Sequence, residues 1–332
     1  MKTLIVGCGY VGSALARRLA ADGHEVFGVR RPASESDDTR AEPGEGMNRD
    51  GFTLIRADVT KPDSFRAFPA GIEWLVHCVS SSRGGTEAYE AVYVEGTRHL
   101  VAHFQATGLK KFVLTSSTSV YGQTDALPVK ETSPTEPASQ LGRLLVEGER
   151  CLLEATRAAQ FPAVILRVAG IYGPGRGHLF HQYLRNEARI TGKGDRYLNM
   201  IHLDDLVSCI HAALRSGRPG EIYNAVDDEP VAQIHFFRWL SETLGKWMPP
   251  VAAEGEVTGR KRPVTNKRVQ NRKLKMELGV VLRYPTFRQG YTAEIQRLDA
   301  AGELNLQPES RDQLTAEDCQ MKWRPPVTPG EG

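Results

Sequence analysis

Lys2-Thr3-Leu4-Ile5-Val6-Gly7-Cys8-Gly9-Tyr10-Val11-Gly12 decides how the chain begins to fold. Lys2–Gly7 is a short apolar run rich in β-branched residues, the composition of a buried strand. Ser13–Ala21 reads SALARRLAA and favours helix. Between them stands G-x-G-x-x-G in a strand, tight turn and helix context. Gly7 lets the chain turn, Gly9 lets backbone approach a pyrophosphate, and Gly12 lets helix and strand pack closely. The helix N-terminus then offers free N–H groups to the anion. Gly7, Gly9, Tyr10, Val11 and Gly12 are therefore the expected contacts of a dinucleotide.

The second strand, His24–Val29, ends in Arg30-Arg31. In nicotinamide-binding domains an acidic residue about 20 positions after the fingerprint holds the ribose 2′-hydroxyl, whereas an arginine accommodates a 2′-phosphate. Arg30 lies 18 residues after Gly12, and no Asp or Glu competes for the place. NADP is the expected cofactor and NAD the alternative. Arginine would also be unremarkable at a solvated strand end.

Pro32–Gly51 is polar and rich in Gly, Pro and acidic residues, a long loop. Strands follow at Phe52–Ala57, Glu73–Cys78, Lys111–Thr115, Pro162–Val168 and Glu221–Ala225, with helices at Glu87–Thr107 and Gln140–Ala159. Alternation of β and α, with strands that are almost continuously apolar, implies an α/β fold with a doubly wound parallel sheet of Rossmann type. Ligands of such sheets sit beyond the carboxyl ends of the strands. A smaller C-terminal substrate lobe is expected from 177–198 and 226–296, with 199–225 returning to a dinucleotide-binding domain of 1–176. Val231–Leu244 is amphipathic, with Phe236, Phe237, Leu240 and Leu244 at helical spacing. Residues 297–332 read as a partly disordered extension that ends WRPPVTPGEG.

With 42 basic against 40 acidic residues, the net charge is +2, and neither nucleic acid nor membrane is indicated as a partner. Five scattered cysteines lack C-x-x-C spacing, which fits a reduced, cytoplasmic protein and argues against a metal site. Leu4–Val11 is too short and too glycine-interrupted for a signal-peptide core, and no apolar run is long enough to span a bilayer.

Six segments in order, GCGYVG at 7–12, ADV at 57–59, TSSTSVYG at 115–122, LRVAGIYGPGR at 166–176, MIHLDDL at 200–206 and EIYNAVDDEP at 221–230, carry a resemblance. From Met1 to about Ile295 the chain resembles the extended short-chain dehydrogenases/reductases, the NAD(P)-dependent epimerase/dehydratase family. The resemblance implies that Asp58 and Val59 lie along the adenine. It also implies that Cys78, Val79 and Ser80 pass beneath the ribose and nicotinamide, with Ser116 beside them. It further implies a small-molecule substrate, sugar-like or otherwise polar, and homodimer pairing through the helices around 87–107 and 140–159.

The family's hydride chemistry rests on Tyr-x-x-x-Lys and a serine. The tyrosine exchanges a proton with the substrate, and the lysine and nicotinamide charges lower its pKa. Ser117 matches the serine, but Leu141 and Leu145 occupy the Tyr and Lys positions, and Arg143 points roughly 160–200° away from their face. Gly170 replaces a customary Asn, and Leu198 a customary diphosphate-gripping Arg, with Arg196 out of register. The chain thus resembles the atypical branch of the family. Ser117, Tyr121 and Tyr172 remain as catalytic candidates, the two tyrosines also being natural packing residues. His77 reads as a satisfied core histidine, and His202, Asp204 and Asp205 as a motif fixing a loop. The basic stretch Gly259–Lys275 reads as a solvated surface or as one wall of an anion pocket. Two readings follow, an oxidoreductase or isomerase with an atypical site, and a non-catalytic NADP(H) sensor or scaffold.

Overall fold

The computed structural model describes residues 1–32, 50–80, 85–253 and 265–304. Most of the expected loop 32–51, Arg260, Lys261 and Arg262 of the basic stretch, and all but the start of the 297–332 extension lie outside them.

β1 (Lys2–Val6), α1 (Tyr10–Ala21), β2 (Glu25–Arg30), β3 (Thr53–Arg56) and β4 (Trp74–His77) come first. After α2 (Thr86–Glu90) and α3 (Gly96–Phe104) come β5 (Lys111–Ser117), β6 (Pro128–Val129), α4 (Gln140–Ala159) and β7 (Ala163–Val168). The chain leaves the sheet through β8 (Gly170–Tyr172), α5 (His178–Leu184), β9 (Tyr197–Leu198) and β10 (Met200–His202), and returns through α6 (Leu203–Ser216) to β11 (Ile222–Ala225). β12 (Val231–Ala232), α7 (Gln233–Leu244), β13 (Arg268–Val269), α8 (Arg272–Leu278) and α9 (Phe287–Ala300) follow.

Seven strands form one parallel sheet in the order β11-β7-β5-β4-β1-β2-β3. Every residue of β4 and β7 is buried, as expected where helices cover both faces. The order reverses between β1 and β4, and the crevice at such a switch point is where this architecture binds ligands. On one face, Leu15 and Leu19 of α1 pack with Leu206 and Ile210 of α6; on the other, Leu100 and Phe104 of α3 pack with Leu152 of α4. A third cluster forms the lobe, with Phe180, Phe236, Phe237, Leu240, Phe287 and Tyr291 at its centre. The apolar stripe of α7 is therefore a packing face.

Three features depart from the sequence expectation. The helix expected at Glu87–Thr107 is broken by a π turn at Ala91–Glu95. It lies where α4 crosses: a Cβ on Gly148 would stand 2.5 Å from the Tyr93 carbonyl, which accepts a hydrogen bond from Thr97 Oγ1 at 2.8 Å. Residues 269–282 fasten to the sheet rather than to the lobe, since Leu274, Leu278, Val280 and Leu282 join the α1/α6 cluster. The last helix runs past 297 to Ala300, capped at its start by Thr286 and Gln289 and buried at Leu298. Among the described residues, no helix is long and apolar enough to cross a membrane.

Candidate active site

A cleft of about 1410 Å³ opens at the carboxyl ends of the strands. Its volume exceeds that of a single drug-sized ligand site, leaving room for two molecules side by side. One end is built on the glycine turn. Gly7 has φ +103°, and a Cβ there would fall 2.6 Å from Val79 N, so β1 and the chain after β4 touch through this residue. A Cβ on Gly12 would lie 2.3 Å from the Gly7 carbonyl, which accepts from Cys78 Sγ at 3.2 Å. Gly9 differs: nothing lies within 4 Å of its missing Cβ. It caps α1 without a side-chain hydrogen bond, and no acidic residue stands in the first turn. The positive end of α1 therefore faces open cleft, a cradle that suits a pyrophosphate.

Arg30 reaches back over this turn. Its Nε donates to the Cys8 carbonyl at 2.5 Å and its Nη2 to Ser13 Oγ at 3.2 Å. The guanidinium is thus parked at the rim of this end of the cleft, where Arg31 also lines it. Val59, Cys78, Val79 and Ser80 line the same end, and burial pushes the Cys78 thiol pKa up, so it stays protonated. Asp58 is turned away from the cleft lining: its Oδ1 accepts from Thr60 N and Oγ1, both at 2.9 Å.

Ser116 and Tyr121 belong to a buried polar network. Ser116 Oγ donates to Glu149 Oε1 at 2.5 Å, and Glu149 grips Arg167 through bonds of 2.7–3.2 Å. Arg167 donates onward to the Tyr121 hydroxyl at 3.0 Å, and that hydroxyl donates to Asn224 Oδ1 at 2.7 Å. Tyr121 is fully buried, and both roles of its hydroxyl are taken. As a catalytic candidate it is therefore corrected: it holds β5, β7 and β11 together. Ser116 borders the cleft, but its hydroxyl is committed to Glu149. Tyr172 borders the cleft, with its ring turned onto the lobe. It stacks on Tyr291 at 4.4 Å, and its hydroxyl lies 2.2 Å from where a Cβ on Gly290 would be, so it points into α9. Burial raises its pKa, and no partner meets the hydroxyl among the described residues.

Ser117 sits differently. It lines the cleft, and its Oγ accepts from Ser119 N at 3.2 Å and Ser119 Oγ at 3.0 Å, leaving its own O–H to donate. Leu145 is part of the wall, and Leu198 lies further along. Arg143 folds back on the Pro137 and Ala138 carbonyls and is exposed. The rest of the cleft is cationic: Arg189, Arg196 and Lys267 line it, Arg176 stands over the Tyr10 ring at 5.1 Å beside the glycine turn, and Glu187 is the only carboxylate among the described lining. Arg185 holds that carboxylate in an ion pair of 2.9 Å, which lowers its pKa.

The family's sequence pattern, described as the NAD dependent epimerase/dehydratase family, matches residues 3–225. The chain belongs to that family. Among relatives of this epimerase/dehydratase, Protein YeeZ of Escherichia coli K12 is 29% identical over 286 residues, 86% of this chain and 96% of the relative. A UDP-glucose 4-epimerase of Mycolicibacterium smegmatis is 31% identical over 243 residues, covering 66% of this chain and 74% of its own. A putative NAD-dependent epimerase/dehydratase from Methylobacillus flagellatus superposes with TM-score 0.67 at 31% identity, covering 90% of this chain and 98% of that one. UDP-glucuronic acid 4-epimerase from Bacillus cereus, in complex with NAD, shares the fold at 21% identity with TM-score 0.71 over 90% of this chain and 99% of that one.

Two residues carry more than their sequence context gave them. Arg196, out of register with the family's arginine, nevertheless reaches the cleft. Lys267 was submerged in the basic stretch, whose other described members turn elsewhere. Arg268 donates to the Ala126 carbonyl, Lys273 pairs with Glu221 and Lys275 with Asp228. Only a β-pairing prediction, setting β13 on β6, would have separated Lys267 from them. His77 is buried in the core, and burial lowers its pKa to about 4, which keeps it neutral. Asp205 accepts from Arg283 N at 2.6 Å and Tyr284 N at 2.9 Å, so the 202–205 motif does pin a loop.

Proposed function

We propose that this epimerase/dehydratase binds NADP(H) and uses it for oxidoreduction or epimerisation of a small, polar, anionic substrate in a reducing cytoplasmic setting. Arg30 carries the cofactor part of this reading. It is held beside the uncapped α1 terminus, and no carboxylate lines this end of the cleft among the described residues. Gly9, the N–H groups of Tyr10 and Val11, and Val79 and Ser80 would hold the dinucleotide, with Arg30 and Arg31 for a 2′-phosphate. When bound, the nicotinamide supplies hydride chemistry. Arg176, Arg189 and Arg196 support an anionic substrate, because charge-assisted bonds to guanidinium are the strongest available to carboxylate or phosphate. Ser117 would hydrogen-bond the reacting oxygen.

Fluorescence titration with NADPH and NADH tests the cofactor part. Wild type should prefer NADPH by about ten-fold or more, and Arg30→Asp should lose NADPH affinity while holding NADH within a few-fold. Equal losses would remove Arg30 from the 2′-phosphate. Leu145 in the cleft wall favours the second reading, an NADP(H) sensor without turnover. Tight NADPH binding with no oxidation on a panel of phosphorylated aldehydes, ketones and sugars would decide for it.

A further inference from the structure

Lys267 is a buried cation with no ion-pair partner among the described residues. It is 5% exposed, and its Nζ donates to the Tyr121 carbonyl and to Thr265 Oγ1, each at 2.8 Å. An ammonium has three N–H donors; among the described residues, the third meets no acceptor. Both acceptors are neutral. The groups facing the amine are Tyr121, Thr265 and the like-charged Arg196, and no carboxylate among the described residues balances it. A buried lysine serving structure alone should have an anionic partner, since unpaired burial of charge is strongly unfavourable.

The position is also rigid. Asn199 Nδ2 donates to the Lys267 carbonyl at 3.0 Å, Ala126 N donates to Asn266 O at 2.9 Å, and Arg268 N donates to Leu127 O at 3.1 Å. The Tyr121 carbonyl ends the short segment that starts at Ser117, so the amine is tied to the loop that carries the serine. It lines the same cleft as Leu145, which stands where the family places its lysine.

We propose that Lys267 handles the proton in this cleft: its amine meets the reacting oxygen of a small anionic carbonyl or hydroxy compound, with Ser117 as that oxygen's second hydrogen-bond partner. This rests on the reading above that the cleft binds a nicotinamide dinucleotide. When a carbonyl is reduced, an N–H bond of the ammonium breaks and an O–H bond forms on the substrate. The amine keeps the electron pair, a reduced nicotinamide, when bound, would supply the hydride, and bulk water at the mouth returns the proton. Burial and Arg196 lower the pKa of the amine to about 8, so both protonation states are accessible near neutrality. An acid–base group from the far end of the chain thus replaces the pair missing from α4.

Pyridoxal 5′-phosphate, an anionic aldehyde, tests this on the full chain. A neutral amine condenses with it, releasing water, and borohydride reduces the imine to a stable secondary amine that peptide mass mapping locates. At pH 7 a lysine with pKa near 8 holds on the order of 100-fold more neutral amine than an ordinary one. Lys267 should therefore label about ten-fold or more faster than the mean of the other lysines, with a rate midpoint near pH 8. The label should vanish in Lys267→Met and in Lys267→Arg, which keeps the charge if the Met variant fails to fold. NADPH affinity of both variants should stay within about two-fold of wild type. Labelling confined to surface lysines, a midpoint near about 10, or loss of NADPH binding in Lys267→Arg would overturn the proposal. A wild-type chain that binds neither NADPH nor NADH would overturn the nicotinamide reading instead, a result visible before any lysine is labelled.

Discussion

Gly7 and Gly9 stand two residues apart and answer to different demands. Gly7 has a left-handed φ and no room for a Cβ, so Gly7→Ala should cost about 2 kcal/mol or more in denaturant unfolding. Gly9 has φ −95° and faces open cleft, so Gly9→Ala should change stability by less than about 1 kcal/mol. Dinucleotide affinity, followed by fluorescence, should nevertheless fall in Gly9→Ala, because the methyl group would occupy the pyrophosphate cradle. Lys267 gives a third test at this scale. Its pKa falls from 10.5 to about 8 in the folded chain, so the folded state binds fewer protons between those values. Stability accordingly rises with pH across that window, and the full cost, on the order of 3 kcal/mol, is present below it. Lys267→Met should raise the pH 7 stability by about 1–2 kcal/mol once the acceptors on Tyr121 and Thr265 lose their donor. The advantage should fade toward pH 10.5; a gain that is independent of pH would contradict the charge-burial account.

At the scale of elements, the Glu149–Arg167 pair joins α4 to β7 and draws in β5 through Ser116 and β11 through Asn224. Its side chains are 3% and 5% exposed, so removing one partner strands a buried charge. Arg167→Met should destabilise the chain by about 3–5 kcal/mol, read as a shift in denaturant midpoint. A loss below about 1 kcal/mol would mean that the network contributes little to stability. The strands, α1 and α4 were legible because apolar runs, glycine spacing and helix periodicity are local signals. Gln140–Ala159 is reproduced to the residue, with Ser139 accepting from Gly142 N as its cap. The π turn before α3 was not legible, since it depends on α4 approaching Tyr93 across the fold. Nor were the fates of Tyr121 and Tyr172: one sequence motif serves equally for a hydroxyl in the cleft or in the core, and only Asn224 and Gly290, about a hundred residues on, decide between them.

For the molecule as a whole, the glycine turn was readable as a candidate dinucleotide site, while the cationic end of the cleft was not, because it gathers Arg189, Arg196 and Lys267 from distant stretches. Asp227 is a buried carboxylate outside the cleft lining. It is 1% exposed, its Oδ2 has no partner among the described residues, and burial raises its pKa well above the usual carboxylate range. A raised folded-state pKa means that stability is lost as pH climbs above 3.8, the ordinary value. Asp227→Asn should therefore raise the melting temperature at pH 7 and leave it unchanged at pH 3; an equal rise at both would point to packing instead. The segment that pairs β13 with β6 has a wider consequence. Asn199 clasps it, Asn224 Nδ2 donates to Gln270 O, and Asn271 Nδ2 donates to Val226 O. Late as it is in the chain, the Lys267 segment is tied both to the sheet, through Asn224, and to the lobe side, where Asn266 Oδ1 accepts from Tyr197 N at 2.9 Å and Asn199 stands between Leu198 and Met200 of the lobe cluster. Lys267 thus stitches the Ser117 loop to β9, so any shift of the lobe would be transmitted to the amine through Asn266 and to the serine loop through the Tyr121 carbonyl.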